Sequence, residues 1–78
     1  MNMNTKKSRV TFALCIDNRD SEDLEKGKVY QVISDKRAAE EDYLRVVDES
    51  TEDYLYPSTY FVAIELPKKA QDALMARV

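Results

Sequence analysis

The chain has no histidine and no tryptophan, and among its 78 residues it has one cysteine and one glycine. Without histidine, neither a Ser-His or Cys-His nucleophile pair nor a histidine-ligated zinc site can form. A single cysteine excludes an internal disulfide and a thiolate zinc cluster, and a single glycine excludes the glycine-rich loops that bind phosphates. The sequence therefore predicts a protein that is not an enzyme and that holds no cofactor and no metal.

Long hydrophobic runs are also absent. The apolar stretches fall far short of the roughly 20 residues that a membrane-spanning helix needs, and the polar first residues do not have the pattern of a signal peptide. The single cysteine is typical of a protein in a reducing compartment. We therefore expect a small cytoplasmic domain that does not contact a membrane.

Charge is spread unevenly along the chain. Fifteen acids and twelve bases give a net charge of −3, of which residues 1–9 carry +3, residues 10–66 carry −8 and residues 67–78 carry +2. Because phosphate binding depends on clustered lysine and arginine, the acidic middle argues against direct nucleic-acid binding. Dense carboxylates can instead stand in for phosphates. This leaves open an acidic regulator that mimics or occludes nucleic acid on a basic partner protein.

Alternation of apolar and polar residues predicts five short strands, at residues 10–16, 28–33, 43–48, 53–56 and 61–66. Between them lie a long acidic loop, a helical turn that Ser34 or Asp35 can cap, and a single turn after Pro57. Strands this short and this closely spaced favour a small all-β barrel. We expect a disordered lead-in at residues 1–8, the barrel at 9–66 and a basic helical tail at 67–78.

The barrel core is predicted from the face of each strand that carries the large apolar side chains. The candidates are Val10, Phe12, Leu14, Ile16, Leu24, Tyr30, Val32, Leu44, Val46, Tyr56, Phe61 and Ile64. Cys15 falls on the face opposite Phe12 and Leu14. Because the surrounding charge is negative, which does not favour a thiolate, Cys15 is interpreted as a small buried residue.

Several segments resemble SH3-type domains. Ala13-Leu14 is similar to the start of the Ala-Leu-Tyr-Asp-Tyr motif, residues 23–32 to the end of the acidic loop and the second strand, and residues 55–64 to the Pro-Ser-Asn-Tyr-Val stretch. With its Cys-Ile-Asp-Asn and Asp-Tyr-Leu-Tyr-Pro-x-x-Tyr-Phe motifs, the span from about Ala13 to Pro67 resembles a family of small, stand-alone bacterial and phage proteins with no assigned activity. The resemblance implies a five-stranded SH3-like barrel with a short helical turn in one loop and a short C-terminal helix.

The resemblance also implies a binding face. In SH3 domains the groove for polyproline II segments is formed by a Pro-x-x-Tyr turn, a tryptophan and acids of the long loop. Pro57 and Tyr60 match the turn, and Tyr43 stands near the position of the tryptophan. The acids of the corresponding loop are Asp20, Glu22 and Asp23.

The leading functional hypothesis is a non-enzymatic interaction module that binds a peptide or protein segment. Tyrosines are favoured at interfaces because they combine an apolar ring with a polar tip. The predicted face consists of Tyr43, Tyr54, Pro57 and Tyr60, beside the loop acids that select a basic ligand. The other two tyrosines are interpreted as barrel packing, and we expect a monomer or a weak homodimer.

Overall fold

The computed structural model describes residues 10–19 and 21–76. The predictions for the lead-in at residues 1–8, for Asp20 and for the last two residues of the tail lie outside these ranges. The described elements are β1 (Val10–Cys15), β2 (Val29–Ile33), α1 (Lys36–Glu40), β3 (Tyr43–Val47), β4 (Asp53–Pro57), a 3-10 turn (Ser58–Tyr60), β5 (Phe61–Ile64) and α2 (Lys68–Met75).

The strands form one antiparallel sheet in the order β4-β3-β2-β1-β5. The first four strands follow one another as a meander, and β5 returns to pair with β1. This confirms a mostly β domain with five antiparallel strands and two short helices. Within residues 10–19 and 21–76 no ladder joins β4 to β5, so the sheet is not closed into a barrel.

The sheet is nevertheless strongly curled. Tyr56 lies on edge strand β4 and Phe61 on edge strand β5, yet their ring centroids are 6.3 Å apart. In a flat sheet four strand spacings would separate these edges by about 19 Å. The curl therefore brings side chains from both edges into one core.

That core lies on the concave face of the sheet. It consists of Ala13, Cys15, Leu24, Tyr30, Val32, Val46 and Phe61, with Leu44, Tyr56 and Tyr60 packed against it. The prediction that Leu24, although it lies in the polar loop, belongs to the core is confirmed. So is the prediction that Tyr30 and Tyr56 serve in packing.

The predicted core face of β1 is wrong, although Phe12 is buried as predicted. The ladders pair Ala13 with Tyr30 and Cys15 with Phe61, so the small side chains of β1 face the core. The large rings of the neighbouring strands fill the space there, which leaves room only for small residues on β1. Phe12 lies on the convex face, and Ile16, just after the strand, is exposed. Leu14 and Ile64 are half-buried on the convex face, where Leu14 pairs with Val62 and Ile64 pairs with Phe12. The Val10 side chain lies outside the described part of the structure.

Helix α2 explains why the convex face also needs a large apolar residue. Phe12 is only 4% exposed, and it lines a cavity of about 170 Å³ together with Leu74 and Met75 of the helix. Pro67 precedes the first helical residue, as Pro often does where its missing N–H costs nothing. β1 therefore has the core on one face, and on the other face its Phe12 side chain lies toward α2.

Helix α1 begins with a side-chain cap. The Asp35 carboxylate accepts a hydrogen bond from the Ala38 N–H at 3.0 Å and another from Arg45 Nε at 2.8 Å. The prediction that Ser34 or Asp35 caps this turn is thus confirmed for Asp35. These two donors, the amide first, lower the pKa of Asp35 below its usual range.

The cap predicts a specific pH dependence. Because the folded state holds Asp35 ionised, its contribution to stability is present above the unfolded pKa of about 3.9 and is lost as pH falls through the lower folded value. Asp35→Asn should therefore weaken the fall in stability below about pH 4, measured as urea midpoints across an acid series. The control is Asp42→Asn, at an exposed aspartate just before β3. An equal fall in stability at low pH in the two variants would contradict a stabilising role for the ionised Asp35 cap.

Candidate functional site

The structure links three of the predicted face residues through the backbone. Tyr43, the first residue of β3, pairs with Pro57, the last residue of β4. One 3-10 turn later, the Tyr60 carbonyl accepts hydrogen bonds from the amides of Ile16 at 2.8 Å and Asp17 at 3.3 Å. Tyr43, Pro57, Tyr60 and the start of the acidic loop therefore follow one another in a continuous line.

Tyr54 does not belong to this line. It pairs with Val46, three ladder positions from Pro57, or about 10 Å along the strand. The alternation of the strand also turns it to the face opposite Tyr43. Its hydroxyl donates to Glu52 Oε1 at 2.9 Å, and this bond is the main reason that the pKa of Tyr54 is raised. The structure thus separates Tyr54 from the rest of the predicted face.

The acidic loop runs from the 3-10 turn, next to Tyr60, to the β3–β4 turn, which precedes Tyr54. It starts beside the 3-10 turn at Asp17, and the Asp23 carbonyl accepts the Glu49 N–H at 2.9 Å in the β3–β4 turn. Glu22 is exposed on the same loop, and Asp20 lies outside the described residues. Of the three predicted acids, Asp23 is therefore held near Tyr54 rather than near Tyr60.

Tyr43 borders a shallow groove next to helix α1. The groove has a volume of about 200 Å³, and Arg45 and Leu55 of the neighbouring ladder line it together with Asp35. Arg45 is held in place by Asp35 at 2.8 Å and by Asp53 at 3.0 Å. The groove therefore combines an exposed tyrosine ring and an aliphatic side chain with an arginine whose charge is already balanced.

The hydroxyls of two core tyrosines donate hydrogen bonds to carboxylates that follow β3. Tyr56 Oη donates to Asp48 Oδ2 at 2.6 Å, and Tyr30 Oη donates to Glu49 Oε2 at 2.5 Å. Asp48 is 4% exposed and also accepts from the Ser50 amide and hydroxyl. A sequence signal existed, because alternation from Val46 places Asp48 on the core face at the end of β3.

Burial, and then these hydrogen bonds to carboxylates, raise the pKa of both Tyr30 and Tyr56 well above the usual value. The tyrosines therefore remain neutral donors at physiological pH. Their hydroxyls connect strands β2 and β4 to the β3–β4 turn by hydrogen bonds. Both hydroxyls are thus engaged in bonds within the protein. We interpret this network as structural.

Cys15 is fully buried in the core, as predicted for a small packing residue. Its Sγ lies 3.5 Å from the Asp17 carbonyl, to which the thiol donates. Burial is the main cause that raises the pKa of Cys15. A nucleophilic thiolate is disfavoured at this position.

Some of the acids of residues 10–66 lie in ion pairs, although the net charge of this span remains −8. Lys28 pairs with Glu49 at 2.7 Å and with Glu25 at 3.6 Å, and Arg19 pairs with Asp17 at 3.1 Å. The Arg19 side chain also lowers the pKa of Asp17. Arg45 is paired in the same way with Asp35 and Asp53.

In the described ranges no group of three or more acidic or cysteine side chains is arranged to hold a metal ion. Neither of the helices described is both long and apolar enough to cross a membrane. Comparison of the chain with protein-family models, with curated proteins and with solved structures finds no match. The resemblance to SH3-type proteins therefore stays a prediction from the sequence motifs.

Proposed function

We propose that the curled sheet is an SH3-like barrel. Three features support this assignment: the strand order β4-β3-β2-β1-β5, the 3-10 turn between β4 and β5, and the contact between Tyr56 and Phe61 across the two sheet edges. The small bacterial and phage proteins that the motifs resemble would share this fold.

On this fold the protein acts as a non-enzymatic module that binds a peptide or protein segment. The observation that carries the proposal is the line from Tyr43 through Pro57 and Tyr60 to Asp17, because ladder pairing and backbone hydrogen bonds fix the order of its members. The line offers an exposed ring at Tyr43, the proline opposite it and, after the 3-10 turn, the half-buried ring of Tyr60, and these are the apolar groups that an extended segment would contact.

The ligand is expected to carry a basic residue. Asp17 begins the acidic loop at one end of the line, and exposed Glu41 and Asp42 precede Tyr43 at the other. The Arg19 partner of Asp17 is itself largely exposed, so a lysine or arginine of the ligand can compete for the carboxylate. Carboxylates at both ends favour a cationic segment and disfavour an acidic one.

The test uses two tyrosines that are similarly exposed. Tyr43 is 41% exposed and Tyr54 is 49% exposed, but only Tyr43 lies on the proposed line. Amide shifts of the ¹⁵N-labelled protein would be followed during titration with proline-rich peptides that carry arginine or, as a matched series, glutamate. We expect shifts at Tyr43, Ser58 and Tyr60 with the arginine series. Tyr43→Ala should weaken binding about tenfold, since truncation of a central aromatic contact commonly has an effect of this size.

Tyr54→Ala is the control and should leave the affinity unchanged. Shifts that cluster at Tyr54 and Asp23, or equal losses in the two variants, would contradict the proposed line. A strongly basic protein partner whose capture falls steeply with salt, without any effect of Tyr43→Ala, would instead support acidic mimicry.

A further inference from the structure

Strand β4 is an edge strand with exposed side chains on both faces of the sheet. Tyr54 is 49% exposed on the concave side, and Leu55 is 45% exposed on the convex side. A flat partner surface can cover only one of these faces. A strand that continues the sheet contacts both, because its own side chains alternate in the same way.

The direction of the β4 backbone groups follows from the bonds that flank the ladder. The Asp48 N–H donates to the Glu52 carbonyl at 3.1 Å, and the Ser58 N–H donates to the Asp42 carbonyl at 2.9 Å. In an antiparallel pair, hydrogen-bonded and non-hydrogen-bonded positions alternate. The even-numbered residues of β4 therefore bond to β3.

The odd-numbered residues of β4, which are Asp53, Leu55 and Pro57, consequently direct their backbone groups toward the free edge. Within residues 10–19 and 21–76 no hydrogen bond occupies the N–H or the C=O of Leu55. The proline is also explained, because its missing N–H falls on the free edge, where no bond to β3 is lost.

The opposite edge offers much less. On β5 the hydrogen bond from the Ile16 N–H to the Tyr60 carbonyl shows that the backbone groups of Phe61 and Ala63 are directed away from β1. The Phe61 N–H already donates to the Ser58 carbonyl. Ala63 alone then has its N–H and C=O directed outward within this four-residue strand. Edge pairing is therefore favoured at β4.

We propose that β4 pairs with β4 of a second copy of this chain, antiparallel about a two-fold axis through Leu55. In this register Leu55 exchanges both hydrogen bonds with Leu55 of the second copy, and each Asp53 N–H donates to the opposite Pro57 carbonyl. Tyr54 then lies beside Tyr56 of the second copy. The same residues would meet on both sides of the axis, as a two-fold interface requires.

Charge and side-chain complementarity select this occupant and this register. Leu55 lies opposite the apolar Leu55 of the second copy, and the Tyr54 ring lies opposite another aromatic ring. Asp53 lies opposite Pro57, so no like charges are opposed across the axis. A register centred on Tyr54 would instead place the Asp53 carboxylate against Leu55. A second copy of this chain provides a suitable partner at each of these positions. No group on β4 selects a particular strand of another protein in the same way.

The pairing should be weak. A strand of five residues buries less than the roughly 1,200–2,000 Å² of a standard stable interface, so we expect a dissociation constant on the order of 0.1–1 mM. Dimerisation is thus a property of concentrated protein. It does not depend on the peptide-binding proposal, which can be tested with dilute monomer.

Sedimentation equilibrium at increasing concentration tests the pairing. Leu55→Lys places two ammonium groups opposite each other and should raise the dissociation constant about tenfold or more. Leu55→Pro removes the N–H at the axis but no bond to β3, and it should abolish the dimer. Val62→Lys is the matched control, because Val62 is 48% exposed on the other edge strand and should leave association unchanged.

The register has its own measurement. In a mixture of ¹³C-labelled and unlabelled chains, isotope-filtered NOEs should connect the Leu55 methyl groups of the two copies. Dispersed amide spectra of all three variants establish that each is folded. A wild-type protein that remains monomeric above about 1 mM would overturn the proposal. So would a dimer that Leu55→Lys does not weaken, or intermolecular NOEs confined to β5 or α2.

Discussion

Replacement of Phe61 by alanine is expected to lower the free energy of unfolding by about 3–5 kcal/mol. Phe61 is buried where the two edges of the curled sheet meet, with its ring edge-on to Tyr30 and Tyr56 at centroid distances of 6.5 and 6.3 Å. Its removal leaves a cavity between strands that share no backbone ladder. A 78-residue domain has a total stability of about 4–12 kcal/mol, so much of it should be lost.

The matched control is Val62→Ala, the next residue on the same strand. Its side chain is exposed, so truncation should change the stability by less than about 0.5 kcal/mol. Urea unfolding followed by far-UV circular dichroism measures both variants. Similar midpoints for the two would show that the edges are not joined by a packed core at this position.

Loss of the Asp48 carboxylate is expected to have the second-largest effect. In Asp48→Ala the Tyr56 hydroxyl and the Ser50 amide lose their acceptor in a buried setting, which should cost about 2–4 kcal/mol. Asp48→Asn keeps an acceptor oxygen and should lose less. The midpoint of urea unfolding again provides the measurement.

A double-mutant cycle isolates the bond between Asp48 and Tyr56. If the 2.6 Å bond stabilises the turn, Asp48→Ala combined with Tyr56→Phe should cost less than the sum of the single changes, by about 1–2 kcal/mol. An alkaline series gives an independent readout. Because folding raises the pKa of Tyr56, its contribution is present below the unfolded value of about 10 and is lost as pH rises above it, so Tyr56→Phe should flatten that limb. Strict additivity in the cycle would refute the bond's role.

Local elements could be predicted because their signals lie within a few residues of one another. Apolar alternation located all five strands to within two residues at either end, and Asp35 was identifiable as one of two possible caps before a helix-forming run. Pro57 and the turn after it mark the end of β4. Each of these depends on backbone geometry and short-range hydrogen bonds, which the residue types specify directly.

The grouping of the candidate site could be predicted only in part. Pro57 and Tyr60 are three residues apart, and a 3-10 turn brings them together. Tyr43 joins them only through the β3–β4 register, and Tyr54 is separated by the same register. The bond between Tyr30 and Glu49 joins residues 19 positions apart, so no local pattern could indicate it.

By itself, then, the sequence determined the strands, the turns, two possible residues for the helix cap and the absence of histidine-based and glycine-loop chemistry. The tertiary structure alone decided which face of β1 is the core, which face of the sheet Tyr43 and Tyr54 each occupy and which backbone groups of β4 are left open at the edge. The physical reason lies in the two-residue repeat of a strand. Alternation defines two faces of a strand but does not say which of them faces the core. The curl of the sheet and the position of α2 decide this, so that Ala13 and Cys15 face the core while Phe12 lies on the convex face.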